Sequence, residues 1–153
     1  MLIPALTFAA FAFAASGDME QAVTLAEEFE RTARISAGFS YPVLPTMLRV
    51  SVAAGELALA QSLVDGAAEA SRSQLLLNST TSARATLAEA HASAEEAATL
   101  YAEAAAAWEE WGSVVERAYA LLGLGRCGDE DAAREAAAIF ERLGATPVLA
   151  HAA

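Results

Sequence analysis

The sequence predicts an all-α fold, a right-handed α-solenoid of about four degenerate helical hairpins. Three observations carry the prediction. Alanine fills 41 of the 153 positions; it is the best helix former, because it loses no side-chain entropy in a helix, and a poor strand former. A small residue followed by an acidic or polar one recurs as Gly17-Asp18, Gly55-Glu56, Ala92-Ser93 and Gly128-Asp129, at intervals of 38, 37 and 36 residues. After each mark runs an Ala-rich stretch whose apolar positions follow the 3.6-residue helical period. A near-constant interval of this size marks stacked hairpins that bury the same seam repeatedly.

Each mark joins a helix stop to a helix start. Glycine ends helices in the left-handed conformation. Asp, Glu or Ser then offsets the free N–H groups and the positive dipole end of the next helix. The first helices of the four units are predicted at 2–15, 44–54, 73–91 and 113–126. The units themselves span approximately 1–37, 38–72, 73–112 and 113–146, and 147–153 reads as the start of a further helix that breaks off.

The second helices carry the clearest faces. In the first unit Ala22, Leu25, Ala26, Phe29 and Ala33 share one side, with Glu20, Glu27, Glu28, Arg31 and Arg34 turned away. The second has Leu57, Ala60, Leu63, Val64 and Ala67, and is read to stop near Asp65-Gly66. The third buries Ala97, Leu100, Tyr101, Ala104, Trp108 and Trp111; the fourth buries Ala132, Ala136, Ile139, Phe140 and Leu143. Pro42 and Pro45 suit a loop or a first helical turn, where no N–H is needed. The polar run Asn78-Ser79-Thr80-Thr81-Ser82 disfavours a helix interior, so the third unit's first helix is expected to start late or kink there.

Composition narrows the partners. The net charge is −11, and all nine basic residues are arginine. An acidic surface repels phosphate backbones, so neither nucleic acid nor an anionic membrane is expected as a partner. The single cysteine, Cys127, excludes an internal disulfide and a multi-thiolate metal site, and suits a reducing, cytoplasmic setting.

Residues 2–15 are apolar almost all round, with Leu2, Ile3, Leu6, Phe8, Phe11 and Phe13 covering every side. Such a helix is normally buried on several sides, and a terminal repeat needs a polar outer face. The expectation is a further repeat upstream, or self-association through this surface. A second reading stays open. Ala12-Phe13-Ala14 has the small-residue pattern of a leader-cleavage site, which would make residues 1–16 the signal peptide of a secreted helical protein, although no Lys or Arg precedes the run. The run is shorter than the roughly 20 residues that span a bilayer.

The third unit resembles the tetratricopeptide repeat, a helix–turn–helix of roughly 34 residues. That family places small residues where the helices of a hairpin cross and an aromatic in the gap to the next hairpin. Ala85, Ala97, Tyr101 and Ala104 fall in that register. The first unit matches at Ala10 and Ala22, but has Ala26 in place of the aromatic. The second matches at Gly55, Ala60 and Ala67, with Leu48 and Val64 in place of the small and aromatic residues; the fourth has Ala136 and Phe140 but a shortened turn at Cys127-Gly128-Asp129. A narrower resemblance covers the last third. Tyr101-Ala102-Glu103-Ala104, Trp108-Glu109-Glu110-Trp111-Gly112, Glu116-Arg117-Ala118-Tyr119-Ala120-Leu121-Leu122-Gly123-Leu124-Gly125-Arg126-Cys127 and Ile139-Phe140-Glu141-Arg142-Leu143-Gly144-Ala145 look like the C-terminal repeats of large bacterial regulators. Those proteins join a nucleotidyl cyclase or DNA-binding domain to a signalling ATPase and a tetratricopeptide tail. The resemblance implies a sensory or assembly tail; neither a cyclase nor an ATPase motif is present to carry those activities over.

The motifs that suggest chemistry have plainer readings. Gly123 to Gly128 spells G-x-G-x-x-G, but a helix precedes it where a dinucleotide site needs a strand, and Asp129, Glu130 and Asp131 would repel a pyrophosphate. No cofactor is expected. The pairs Glu27/Glu28, Glu95/Glu96 and Glu109/Glu110 lie on predicted solvent faces, where nothing shifts a pKa toward acid–base work. His91 and His151 fit neither the helical di-iron nor the zinc spacing, so no metal is expected. Cys127 lies near a helix end, away from the N-terminus that activates a thiolate. Asn78-Ser79-Thr80 is read as an accidental sequon. Tyr101, Trp108 and Trp111 are read as core by their spacing.

The functional expectation is a scaffold with no catalytic residues. It would bind a protein or peptide, or upstream domains of its own polypeptide, along a concave face. By the third unit's register Ser82, Thr86 and Glu89 face that groove, with Arg49 in the second unit. A helical-bundle enzyme without a recognisable motif remains the other alternative.

Overall fold

A computed structural model describes residues 2–35, 43–68 and 73–145. These are helical, with no strand among them. In chain order the helices are α1 (Leu2–Ser16), α2 (Met19–Ile35), α3 (Leu44–Ala53), α4 (Leu57–Ala68), α5 (Gln74–Ala90), α6 (Ala94–Trp111), α7 (Val114–Arg126) and α8 (Glu130–Arg142). The linker around Pro42, the polar stretch after Ala68 and the segment 146–153 lie outside the described residues.

The helix ends are closed by one device. Gly17, Gly55, Ala92, Gly112, Gly128 and Gly144 all have positive φ, from 59° to 107°. At each, the residue's own N–H bonds the carbonyl three back, and the next N–H bonds the carbonyl five back. Gly17 donates to Ala14 O at 3.1 Å and Asp18 to Phe13 O at 2.9 Å. The side chains of Asp18 and Asp129 then cap the following helices by accepting from Gln21 N and Ala132 N. Ser93 makes no such side-chain bond.

These short turns send α2, α4, α6, α7 and α8 back along their predecessors. Extensive contacts form only between helices at most two places apart in the chain: each helix with the next, and α1 with α3, α2 with α4, α3 with α5, and α5 with α7. Alanine makes the close approaches. Ala22, Ala60, Ala83, Ala85, Ala97, Ala104, Ala118 and Ala136 are wholly buried. Two apolar clusters result. One fills α1 to α4 around Phe29, Leu44, Met47 and Leu48; the other fills α6 to α8 around Trp108, Tyr101 and Phe140. Helix α5 is the wall between them, giving Leu76, Ala83 and Leu87 to the first and Ala85 and Ala88 to the second.

Three sequence expectations need correction. Helix α5 neither starts late nor breaks at its polar run. Ser79 and Thr81 donate back to the carbonyls of Leu75 and Leu77, and the Asn78 amide donates across to Ala107 O on α6, so these groups no longer compete with the helix. Trp111 and Leu143 are half exposed, not core. Both sit in the last turn or just beyond the end of a helix, where the face has run past its neighbour. Helix α4 runs on through Asp65 and Gly66 to Ala68.

Candidate functional site

The surface along α3, α5 and α7 holds the four residues expected to face a groove. Their side chains are engaged within the chain. Arg49 on α3 reaches α7, where Nη1 and Nη2 donate to Glu116 Oε2 and Oε1 at 3.0 and 3.1 Å; Nη2 also donates to Thr46 Oγ1. Its guanidinium lies over the Tyr119 ring, 3.9 Å from the centroid. Tyr119 in turn meets Phe140 of α8 edge-on at 5.1 Å.

Ser82 is buried and accepts the Trp108 indole N–H at 2.7 Å. Thr86 donates to Ser82 O and lies 3.4 Å from the Tyr101 hydroxyl. Glu89 accepts from Tyr101 OH at 2.5 Å and from Arg126 Nε and Nη2 at 2.6 and 2.8 Å. Burial pushes the Glu89 carboxyl up, but the Arg126 and Tyr101 hydrogen bonds and the Arg126 charge outweigh it, so the group titrates below its ordinary 4.5. Burial, and then Glu89, hold the Tyr101 phenol well above its ordinary value. The Glu89 hydrogen bond, against burial, raises Arg126. Burial and then the Glu89 charge push the Cys127 thiol up, away from a reactive thiolate.

The arrangement is a set of charge-assisted braces. Arg49 Nε is buried without an acceptor, as is Arg117 Nε. An open cleft of about 220 Å³ lies between the end of α6 and α8, lined in part by Trp108, Gly112, Val114, Ile139 and Arg142. Arg117 at its edge pairs with Glu135 at 2.8 Å. Among the described residues no group of three or more His, Cys, Asp or Glu side chains is placed to hold a metal ion. None of the described helices is long and apolar enough to cross a membrane.

The glycine run has a packing role. A methyl at Gly123 would overlap the Tyr101 ring, and one at Gly125 would come within 2.7 Å of Ala133 Cβ on α8. Gly128 supplies a left-handed turn. Asn78 of the sequon is buried. Sequence reasoning missed Glu116, Tyr119 and Arg126. Glu116 and Tyr119 share a face of α7 by their spacing, but Arg49 is 67 residues from Glu116 and no local signal joins them. Compared with known proteins, the chain matches no family model, no curated protein and no solved structure.

Proposed function

We propose that this chain is a non-catalytic, tetratricopeptide-like helical-repeat scaffold. It grows by adding hairpins and holds a protein or peptide, or an upstream domain of its own polypeptide, in the cytoplasm. The observation that carries the reading is the contact pattern: helices pack extensively only on neighbours one or two places away, through the same turn and the same alanine seam. A solenoid has this property, because each repeat packs chiefly on the next; Arg49, which reaches from the second unit to Glu116 in the fourth, is an exception. The commitment of Arg49, Glu89, Tyr101 and Arg126 to internal braces supports a structural role for them over a chemical one. The likeness of residues 101–145 to regulator tails favours a place at the end of a bacterial signalling or transcription regulator.

Two measurements test this. Truncation after Gly112 removes α7 and α8; the remaining chain is expected to unfold cooperatively at a lower denaturant midpoint, whereas complete loss of structure would reject the additive architecture. Peptides selected from a random library are expected to lose about tenfold or more in affinity against Arg49→Met. Circular dichroism checks that the variant folds. Unchanged affinity removes the groove assignment, and a library that yields no binder removes the scaffold reading.

A further inference from the structure

We infer that the chain forms a two-fold dimer through the outward face of α1. Leu6, Thr7 and Ala10 turn inward and are buried. Opposite them Pro4, Ala5, Phe8, Phe11, Ala12 and Ala15 are exposed, within an arc of about 120° at 100° per residue. Phe8 is 72 % and Phe11 44 % exposed. Contiguous apolar surface of this kind marks an interaction site.

Charge selects the occupant. The chain carries −11, yet α1 has no ionisable side chain, alone among the described helices. The solvent faces of α2 and α6 present Glu20, Glu27, Glu95, Glu96, Glu103 and Glu110. Two copies therefore repel across those faces, whereas α1 offers a face that carries no charge. The other exposed apolar group, Trp111, Val114, Val115 and Leu143, is interleaved with Glu109, Glu110 and Arg142, which makes it a poor socket for an uncharged helix.

Shape agrees. A dimer needs the same patch to fit itself. In an antiparallel pairing about the middle of α1, Phe8 of each copy meets Phe11 of the other, and Pro4 meets Ala15. The alanines on either side let the helices approach, and two phenylalanine pairs form. The helix is about 22 Å long, so the contact falls at the small end of specific interfaces and the dissociation constant in the micromolar range.

Sedimentation equilibrium on the full chain, from about 1 to 500 µM, tests the proposal. A monomer–dimer equilibrium is expected, tightening as salt rises from about 20 to 500 mM because screening relieves the repulsion between acidic copies. Phe8→Glu/Phe11→Glu is expected to weaken it about 100-fold or more. Phe8→Ser/Phe11→Ser should do so without new charge. Both should keep the parent's helix content and unfolding midpoint. Val114→Glu/Leu143→Glu should still dimerise. A monomer throughout, a dimer that survives both phenylalanine variants, or one lost only with Val114→Glu/Leu143→Glu would each overturn the inference.

Discussion

The two halves of the chain close their turns in the same way and fill the space between helices differently. In α1 to α4 the filling is apolar: Phe29, Leu44, Met47 and Leu48 are almost fully buried. Directed bonds among the described residues there include Ser51 to its own helix, Ser62 to Glu30, and Arg49 to Thr46 and across to Glu116. In α5 to α8 the same alanine seam is crossed by directed bonds: Trp108 to Ser82, Asn78 to Ala107, and Tyr101 and Arg126 to Glu89. Helices differ too, with 10 and 12 residues in α3 and α4 against 17 and 18 in α5 and α6. Apolar filling sets how strongly helices associate, while a bond of fixed geometry also sets the register at which they do. In the second half, register is therefore set by bonds of fixed geometry as well as by filling.

The largest expected effects come from the two anchors. Trp108→Ala and Phe29→Ala should each cost about 3–5 kcal/mol, read as lowered urea midpoints. The conservative pair separates the halves. Phe29→Leu keeps an apolar filler and should cost less than about 1.5 kcal/mol. Trp108→Phe leaves the buried Ser82 hydroxyl without its donor and should cost about 1–3 kcal/mol. Equal costs would erase the distinction between apolar and hydrogen-bonded packing.

One substitution should change sign between halves. Gly123 lies beneath the Tyr101 ring, so Gly123→Ala should overpack α6 against α7 and cost about 1–3 kcal/mol. Gly66, inside α4, has no atom of the described residues within 4 Å of where a Cβ would stand. Gly66→Ala should then stabilise by about 0.5–1 kcal/mol through lower unfolded-chain entropy. Thermal unfolding of both variants checks the pair.

The Glu89 brace gives the second half a pH signature. A carboxyl whose folded pKa is lowered contributes stability above its unfolded value, and that stability is lost as pH falls through the folded value. A phenol whose folded pKa is raised contributes fully below its unfolded value, and its contribution is lost as pH rises toward the folded one. The stability of the parent should thus decline below pH 4.5 and above pH 10, starting from the ordinary values of the two groups. Glu89→Gln should flatten the acid limb and cost about 1–2 kcal/mol at neutral pH. Tyr101→Phe should flatten the alkaline limb. Urea midpoints measured across pH read both, and unchanged limbs would remove the brace from the energetics.

The sequence made the helix ends legible because their determinants are local. The expected first helix 44–54 differs from Leu44–Ala53 by one residue at its C-terminal end, and 73–91 from Gln74–Ala90 by one residue at each end, since left-handed closures at Gly55 and Ala92 act within five residues. Periodicity placed Phe29, Trp108 and Phe140 on buried faces, but it does not say how far the neighbouring helix extends, so it overcounted Trp111 and Leu143. It also does not show what lies across a groove. Arg49, Thr86 and Glu89 are partly exposed while Ser82 is buried, and their partners Glu116, Tyr101, Arg126 and Trp108 lie on other helices.

Ala92 gives the smallest effect and the finest test of the shared closure. It is the one non-glycine with positive φ among the described residues, at 59°, and it ends α5 where glycine ends α1, α3 and α7. An L side chain in that conformation costs about 1 kcal/mol, because Cβ crowds the following carbonyl. Ala92→Gly relieves the crowding but frees the unfolded chain, which returns part of the gain. The net expectation is stabilisation of about 0.5 kcal/mol, visible as a small rise in Tm. Gly55→Ala, the mirror change in the first half, should lower stability by about 1 kcal/mol. If Ala92→Gly destabilises instead, the α5–α6 turn is held by the Tyr101–Glu89–Arg126 brace beside it and not by backbone preference, and the two halves differ in their turns as well as in their cores.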